Sequence, residues 1–274
     1  MTKISLHENI QIFRQLHEEG KLLLANSWDV MSTRIAEQNG VKAIATTSAG
    51  ISWSLGYPDN QLADRKTIIK VLDLIISNTD LPVSADIEDG LLSIGENMEH
   101  LVQDLYSVGC VGINIEDSKL GKSLSIEDGA ARIAAVRAAA KKINYDLFIN
   151  ARIDSWLRGE SRDHEHFISR ANAYLAAGAD CIFIPGLIDL KACQTISSQI
   201  NGPLNIMALP NGPSAEEFFN AGAKRISGGA FFAEQAYGFT QFGMETFLTK
   251  GVLLPNDQVK LNYMDLNKLL SHKK

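Results

Sequence analysis

Cysteine is scarce in this chain: Cys110, Cys181 and Cys193 are three in 274 residues, an odd number without C-x-x-C spacing. That pattern argues against a disulfide framework and a zinc site, and Cys110 and Cys181, which open apolar runs, read as core residues. Positive charge is also short, with 26 Lys and Arg against 32 Asp and Glu and a formal net charge of −6. The basic residues are scattered, so no face suits a nucleic-acid partner. No apolar run approaches the roughly 18 to 20 residues of a membrane helix. The acidic, amphipathic opening "MTKISLHENIQIFRQLHEEG" is not laid out as a signal peptide, and a cytoplasmic, reducing setting is the expectation. No Gly-x-Gly-x-x-Gly follows the first apolar run, which removes the usual mark of a dinucleotide site.

What the chain does have is repetition. Eight short apolar runs predict strands: "LLLAN" (22–26), "KAIATT" (42–47), "PVSAD" (82–86), "VGINIE" (111–116), "LFINAR" (147–152), "CIFIP" (181–185), "LNIMA" (204–208) and "KRISGG" (224–229). Between them lie segments of helical period, such as "NMEHLVQDLYSVG", "GAARIAAVRAAAKKI" and "EHFISRANAYLAAGA", most closed by Gly. Strand–helix alternation without hairpin signals means parallel strands joined by right-handed crossovers. Eight units in this length predict an α/β fold, a single (β/α)8 TIM barrel over residues 1–274, ahead of an open doubly wound sheet. An extra helix over 7–20 covers one end. Residues 235–274 read as a C-terminal helical extension whose exposed Phe242, Phe247 and Leu261 pack against another subunit, so a homo-oligomer is expected.

Barrel chemistry gathers at the carboxyl ends of the strands. Those ends carry Asn26, Ser27, Trp28 and Asp29, then Thr46, Thr47 and Ser48 with Asp59 further on, then Asp86 and Glu88, then Glu116 and Asp117, then Asn150 and Arg152. Asp86 and Glu88, two residues apart, are expected on one side of their strand, with Glu116 on the next strand. Three carboxylates at one mouth repel unless a cation lies among them, and an all-oxygen set favours Mg²⁺ or Mn²⁺ over Zn²⁺. Arg152 then suits an anionic substrate group, which a guanidinium grips in two-pronged fashion. Asp89 and Asp117 read as structural, His164 and His166 as solvated. Gly228 and Gly229 form a weak candidate phosphate cup.

With these residues in view, the chain resembles the phosphoenolpyruvate mutase and isocitrate lyase superfamily over nearly its whole length. The likeness rests on "NSWDVMSTRIAEQNGVKAIATTSAGISWSLGYPD", "PVSADIEDG", "GINIED", "INARIDSW", "RANAYLAAGADCIFIPG" and "LNIMALPNGPS", in that order. The resemblance implies a barrel whose last helix is exchanged between subunits of a dimer or tetramer. It also implies Asp86 in contact with Mg²⁺, Glu88 and Glu116 on metal-bound waters, and Asp59 nearby. Amides around Thr47, Ser48 and Ala49 would hold one acidic end of a 2-oxo or 2-hydroxy acid, Arg152 the other; Trp28, by its place at a strand end, is a candidate to line the pocket.

One departure narrows the activity. The isocitrate-type lyases carry a Lys-Lys-Cys-Gly-His loop after the fourth strand, where this chain has "EDSKLGKSLSIEDG" without cysteine. Lys122 is the residue there that matches a Lys of the mutase loop, whose Asn is missing. The expectation is therefore Mg-dependent cleavage of a C–C bond in an oxaloacetate-like 2-oxo diacid, by decarboxylation or hydrolysis. Carbon–phosphorus chemistry on phosphonopyruvate and a non-catalytic diacid-binding barrel stand as alternatives. Segment 118–128, rich in Ser, Lys and Gly, reads as a lid.

Overall fold

A computed structural model describes residues 4–59, 64–91, 97–119, 121–255 and 260–271. The elements run α1 (Leu6–Glu19), β1 (Leu22–Leu24), β2 (Asn26–Ser27), α2 (Val30–Gln38), β3 (Ile44–Thr46), α3 (Ser48–Ser54), α4 (Arg65–Ser77), β4 (Val83–Asp86), α5 (Met98–Val108) and β5 (Gly112–Glu116). Then follow β6 (Ser118–Lys119), β7 (Lys122–Ser123), α6 (Ile126–Lys142), β8 (Phe148–Arg152), α7 (His164–Ala176), β9 (Cys181–Ile184), α8 (Leu190–Ser197), β10 (Leu204–Met207), α9 (Ala215–Asn220), β11 (Arg225–Ser227), α10 (Phe231–Lys250) and α11 (Tyr263–Leu270).

Nine strands form one parallel sheet in the order β1-β11-β10-β9-β8-β5-β4-β3-β2. Its two edges, β1 and β2, are halves of the same strand interrupted at Ala25: β1 bonds to β11 and β2 to β3, so the sheet curls into a nearly closed barrel. All eight predicted strands are present, and the helices lie outside them. This is the TIM-like architecture the alternation implies.

Register separates the two faces of the sheet. Asp86 pairs with Asn114 and Asn114 with Asn150, while Glu116 pairs with Arg152, Arg152 with Phe183, Phe183 with Asn205 and Asn205 with Arg225. Paired residues share a face, and Arg225 Nη2 reaches Asn114 Oδ1 at 3.1 Å, so this polar set points inward. The alternate positions, Ile113, Ile115, Ile149, Ile182, Ile184 and Ile206, are all buried and face the helices. The aliphatic core thus lies between strands and helices, and the barrel interior is polar.

Both ends of the barrel are built by local chemistry. Ser5 caps α1 with a capping box to Glu8, and α1 sets Phe13 beneath the barrel, edge-on to Phe148 with ring centroids 5.2 Å apart. The extra helix therefore covers the amino-terminal end of the strands, as predicted. At the other end Asp117 braces β5 to α7: Oδ2 accepts from Arg170 Nη1 and from the Tyr174 hydroxyl, each at 3.0 Å, and Oδ1 accepts from the Asp154 amide at 3.1 Å. Asp117 is structural, as its position after the strand suggests. The three cysteines are buried and unpaired with one another.

One expectation about the C-terminus changes. The helical extension over 235–274 holds most of α10 and all of α11, and its residues 256–259 and 272–274 lie outside the described residues. Leu261 is partly buried rather than exposed, whereas Phe242 and Phe247 are exposed as expected.

Candidate active site

Asp86 is the last residue of β4, and three contacts fix it. Its amide donates to Thr46 Oγ1 at 2.9 Å, and its Oδ2 accepts from Ser48 Oγ at 3.0 Å and from the Ser48 amide at 3.5 Å. Its other oxygen, Oδ1, is buried with no hydrogen-bond partner among the described residues. Ser48 opens α3, which Thr47 caps by accepting from the Gly50 amide. Gly50 is required here, because a Cβ would fall 2.9 Å from Trp28 Cβ and 3.2 Å from Ala233 Cβ. The start of α3 is thereby pressed against Trp28, which is half-buried.

Glu88 does not continue the strand. It sits in the following turn with φ 51°, a left-handed conformation that an ordinary side chain adopts at a cost of order 1–3 kcal/mol. The same-face expectation from i, i+2 spacing fails for that reason, yet the turn keeps Glu88 buried at the mouth. Its carbonyl accepts from the Glu116 amide at 2.8 Å, which carries the ladder one step past the strand. Glu116, at the end of β5, is also buried, with Oε2 accepting from Ser118 Oγ at 2.8 Å.

The positive charge facing these acids belongs to Arg152. Its Nη1 lies 3.1 Å from Glu116 Oε1 and 4.0 Å from Asp86 Oδ2, and its Nε donates to Asp154 Oδ1 at 2.8 Å. The expectation that convergence of carboxylates by itself demands a metal ion is corrected here: a guanidinium one strand away supplies a countercharge. Among the described residues no three Asp, Glu, His or Cys side chains close on one point as direct metal ligands. The fit is to a single direct carboxylate contact completed by water, because the orphaned Asp86 Oδ1 is an acceptor in need of a partner while both Glu116 oxygens are engaged.

Burial pushes the Glu88 carboxyl up to about 7, assisted by the charges of Asp86, Asp59 and Asp89. Burial likewise pushes Glu116 up to about 8; Arg152 opposes this, and Asp154 and Asp86 add to it. Burial alone would lower Arg152, but Asp154, Glu116 and Asp86 outweigh it and raise the guanidinium above its ordinary value. The two glutamates therefore bind protons more tightly folded than unfolded, where the ordinary value is 4.5. Their contribution to stability is fully present below about pH 4.5 and is lost as pH rises through about 7 to 8. The metal-free protein should accordingly lose several degrees of Tm between about pH 5 and pH 8.5 in buffered calorimetry, a trend that Mg²⁺ should weaken by favouring the ionised acids.

The other sequence candidates divide. Thr47, Ser48, Ala49 and Trp28 do gather beside Asp86, but the Thr47 amide donates to the Ser27 carbonyl at 3.0 Å and is not free for a ligand. Asp59 is exposed, and its charge reaches Glu88. Lys122 is exposed on β7 and among the described residues makes no ion pair with the acids. Within segment 118–128, β6 and β7 form an antiparallel hairpin, Leu124 donates to the Asp117 carbonyl at 2.9 Å, and α6 begins at Ile126. The Gly228 and Gly229 amides donate to the Leu24 carbonyl and to Asn26 Oδ1, so the phosphate cup is closed from within. His166 contacts Ser155 Oγ at 3.1 Å and His164 stacks on Trp156, so neither is simply solvated. Sequence reading missed Asp154, 2% exposed and bonded to Arg152. The signal was present in "NARID", where the acid stands two residues after the arginine.

A parallel α/β barrel with acids and an arginine at the carboxyl ends of adjacent strands belongs among the barrel enzymes that place their chemistry at that rim. The chain belongs to the phosphoenolpyruvate phosphomutase family, whose signature matches residues 13–248, within the phosphoenolpyruvate mutase and isocitrate lyase superfamily. An uncharacterised protein of Mycobacterium tuberculosis (strain ATCC 25618 / H37Rv) is 34% identical over 220 residues, 80% of this chain and 81% of that protein. The 2-methylisocitrate lyase of Halalkalibacterium halodurans is 27% identical over 202 residues, 70% of this chain and 65% of the lyase. Among solved structures, a candidate lyase/mutase from Burkholderia cenocepacia J2315 superposes with a TM-score of 0.88 at 29% identity, covering 97% of this chain and 96% of its own.

Proposed function

We propose that this protein is a Mg²⁺-dependent lyase that cleaves a C–C bond of a small, oxaloacetate-like 2-oxo diacid. The observation that carries the reading is the buried, unpartnered Asp86 Oδ1 set between the start of α3 and Arg152 at the rim of a superfamily barrel. Asp86 would hold Mg²⁺ or Mn²⁺ directly, with Glu88 and Glu116 on its waters, and the ion would supply Lewis-acid stabilisation of developing enolate charge. Arg152 binds one carboxylate of the substrate, and its bond to Asp154 orients the guanidinium for that contact. The Ala49 amide, in the first turn of α3, would hold the opposite acidic end, Ser48 beside it keeps Asp86 in place, and Trp28 walls that side. Thr47 acts by capping α3, and Asp59 by adding negative charge beside Glu88.

The loop departure and the exposure of Lys122 favour C–C cleavage over phosphoryl handling. Lys122→Ala should change kcat/KM less than about threefold, as for a surface residue outside the acid cluster. Incubation with oxaloacetate or with phosphonopyruvate, each with Mg²⁺, tests the reading by assay of pyruvate, oxalate, phosphate and phosphoenolpyruvate. Pyruvate or oxalate from oxaloacetate supports it. Phosphate or phosphoenolpyruvate from phosphonopyruvate would replace it with C–P chemistry, and binding without turnover would leave a diacid-binding barrel.

Residues 235–274 form the proposed oligomer interface. In the 20-residue helix α10 only Ala233 is buried, while Phe242 is 52% and Leu248 81% exposed. Apolar surface on that scale is covered in a stable soluble assembly, and a second copy of the chain is the proposed cover. Light scattering should give a dimer or tetramer, and Leu248→Glu should shift it toward monomer. The three buried thiols suit a cytoplasmic location.

A further inference from the structure

Below the acidic rim the barrel carries a second polar level that the chemistry above does not use. Arg225, on β11, is wholly buried; Nη2 donates to Asn114 Oδ1 at 3.1 Å, and Asn150 Nδ2 donates to the same oxygen at 2.7 Å. Nη1 lies 3.5 Å from His17 Nε2, and the guanidinium stands 6.0 Å over the Phe13 ring. Among the described residues no carboxylate forms an ion pair with Arg225, although Asp86 is near enough to act on it electrostatically.

Five buried polar atoms on this inward face have no hydrogen-bond partner among the described residues: Arg225 Nε, Asn205 Nδ2, Asn205 Oδ1, Asn150 Oδ1 and Ser84 Oγ. Asn205 and Arg225 are register neighbours, and Asn150 is bonded to the oxygen that Arg225 also holds. Leaving so many such groups dry in a native interior is costly, and each requires a partner. The set mixes donors with acceptors. An anion would serve the guanidinium and the amide nitrogen but would be repelled by the amide oxygens, and a metal ion would be repelled by the guanidinium. Water is the small species that both donates and accepts.

We propose that the barrel encloses a permanent site for about two ordered water molecules, since five unmatched atoms at about three hydrogen bonds per water require that many. They hydrate the Arg225 charge, tie Asn205 to Asn150, and brace the Asn114–Asn150 pair that forms the floor beneath Asp86 and Arg152. Phe13 lies beneath the Arg225 guanidinium and edge-on to Phe148, so exchange of these waters with bulk solvent should be slow.

A high-resolution crystal structure of the full-length protein, together with oxygen-17 relaxation dispersion in solution, tests this independently of any activity. The expected result is about two solvent peaks within about 3.2 Å of Arg225 Nε, Asn205 and Asn150, and long-lived water in the dispersion profile. Asn205→Leu, of similar size but without polar atoms, should lose at least one of those peaks and the matching dispersion amplitude. Should that variant not fold, the wild-type dispersion measurement still decides. A dry interior with these atoms paired to one another, or a peak that bromide replaces with an anomalous signal, would overturn the proposal.

Discussion

Replacing Asp86 with alanine should reduce kcat/KM for a 2-oxo diacid by about 10³-fold or more while leaving the far-ultraviolet circular dichroism unchanged, since this carboxylate would hold the cation that offsets the developing enolate charge. The size of the effect follows from geometry. Asp86 offers a buried Oδ1 that has no hydrogen-bond partner among the described residues, and Ser48 holds the opposite oxygen so that the carboxylate cannot turn away. The fold should survive because Asp86 lies at the rim and its charge acts against the neighbouring acids, raising both Glu88 and Glu116. Its removal relieves that repulsion, and the metal-free variant should melt no lower than the parent at pH 8. Isothermal titration with Mg²⁺ in the presence of oxalate should lose its binding heat. Turnover within about tenfold of the parent would remove Asp86 from the chemistry and with it the proposed metal contact.

Arg152→Lys should be nearly as damaging, with a loss of about 10²- to 10³-fold in kcat/KM appearing in KM as well as kcat. Arg152 performs two tasks through one planar group. Nε donates to Asp154, which is 2% exposed, while Nη1 faces Glu116 at 3.1 Å and Asp86 at 4.0 Å. An ammonium is a point charge that cannot span both directions and still present a fork to a substrate carboxylate. Lysine would keep the net charge of the site, so stability should fall less than with Arg152→Met, which leaves Glu116 and Asp154 buried without their main countercharge. A lysine variant with unchanged KM would show that the arginine balances the acids without touching substrate. The two variants thus separate charge compensation from substrate binding.

Much of the architecture was legible because it rests on periodicity. The runs "GINIE" and "CIFI" are strands as read, and the capping box at Ser5 fixes where α1 begins. The grouping of Asp86, Glu116 and Arg152 was legible too, since strand ends on adjacent parallel strands must meet. What escaped depends on side-chain reach and on single dihedrals. Nothing in the spacing of "ADIED" announces that the strand stops at Asp86 and that Glu88 turns left-handed. Nor does composition tell that Ser118 and Ser123 pair across a hairpin within the segment read as a lid. Arg152 was taken as free for a ligand because a sequence shows an arginine's charge but not which acids it already neutralises.

The alternation along β5 and β8 has a practical corollary for anyone altering this protein. Deleting one residue within Gly112–Glu116 would exchange the two sides of that strand, driving Asn114 and Glu116 among the surrounding helices and isoleucines into the polar lumen. Insertions and deletions belong in the connections on the amino-terminal side. Point changes inside the strands sort by parity, odd numbers on β5 bearing on endurance and even ones on chemistry.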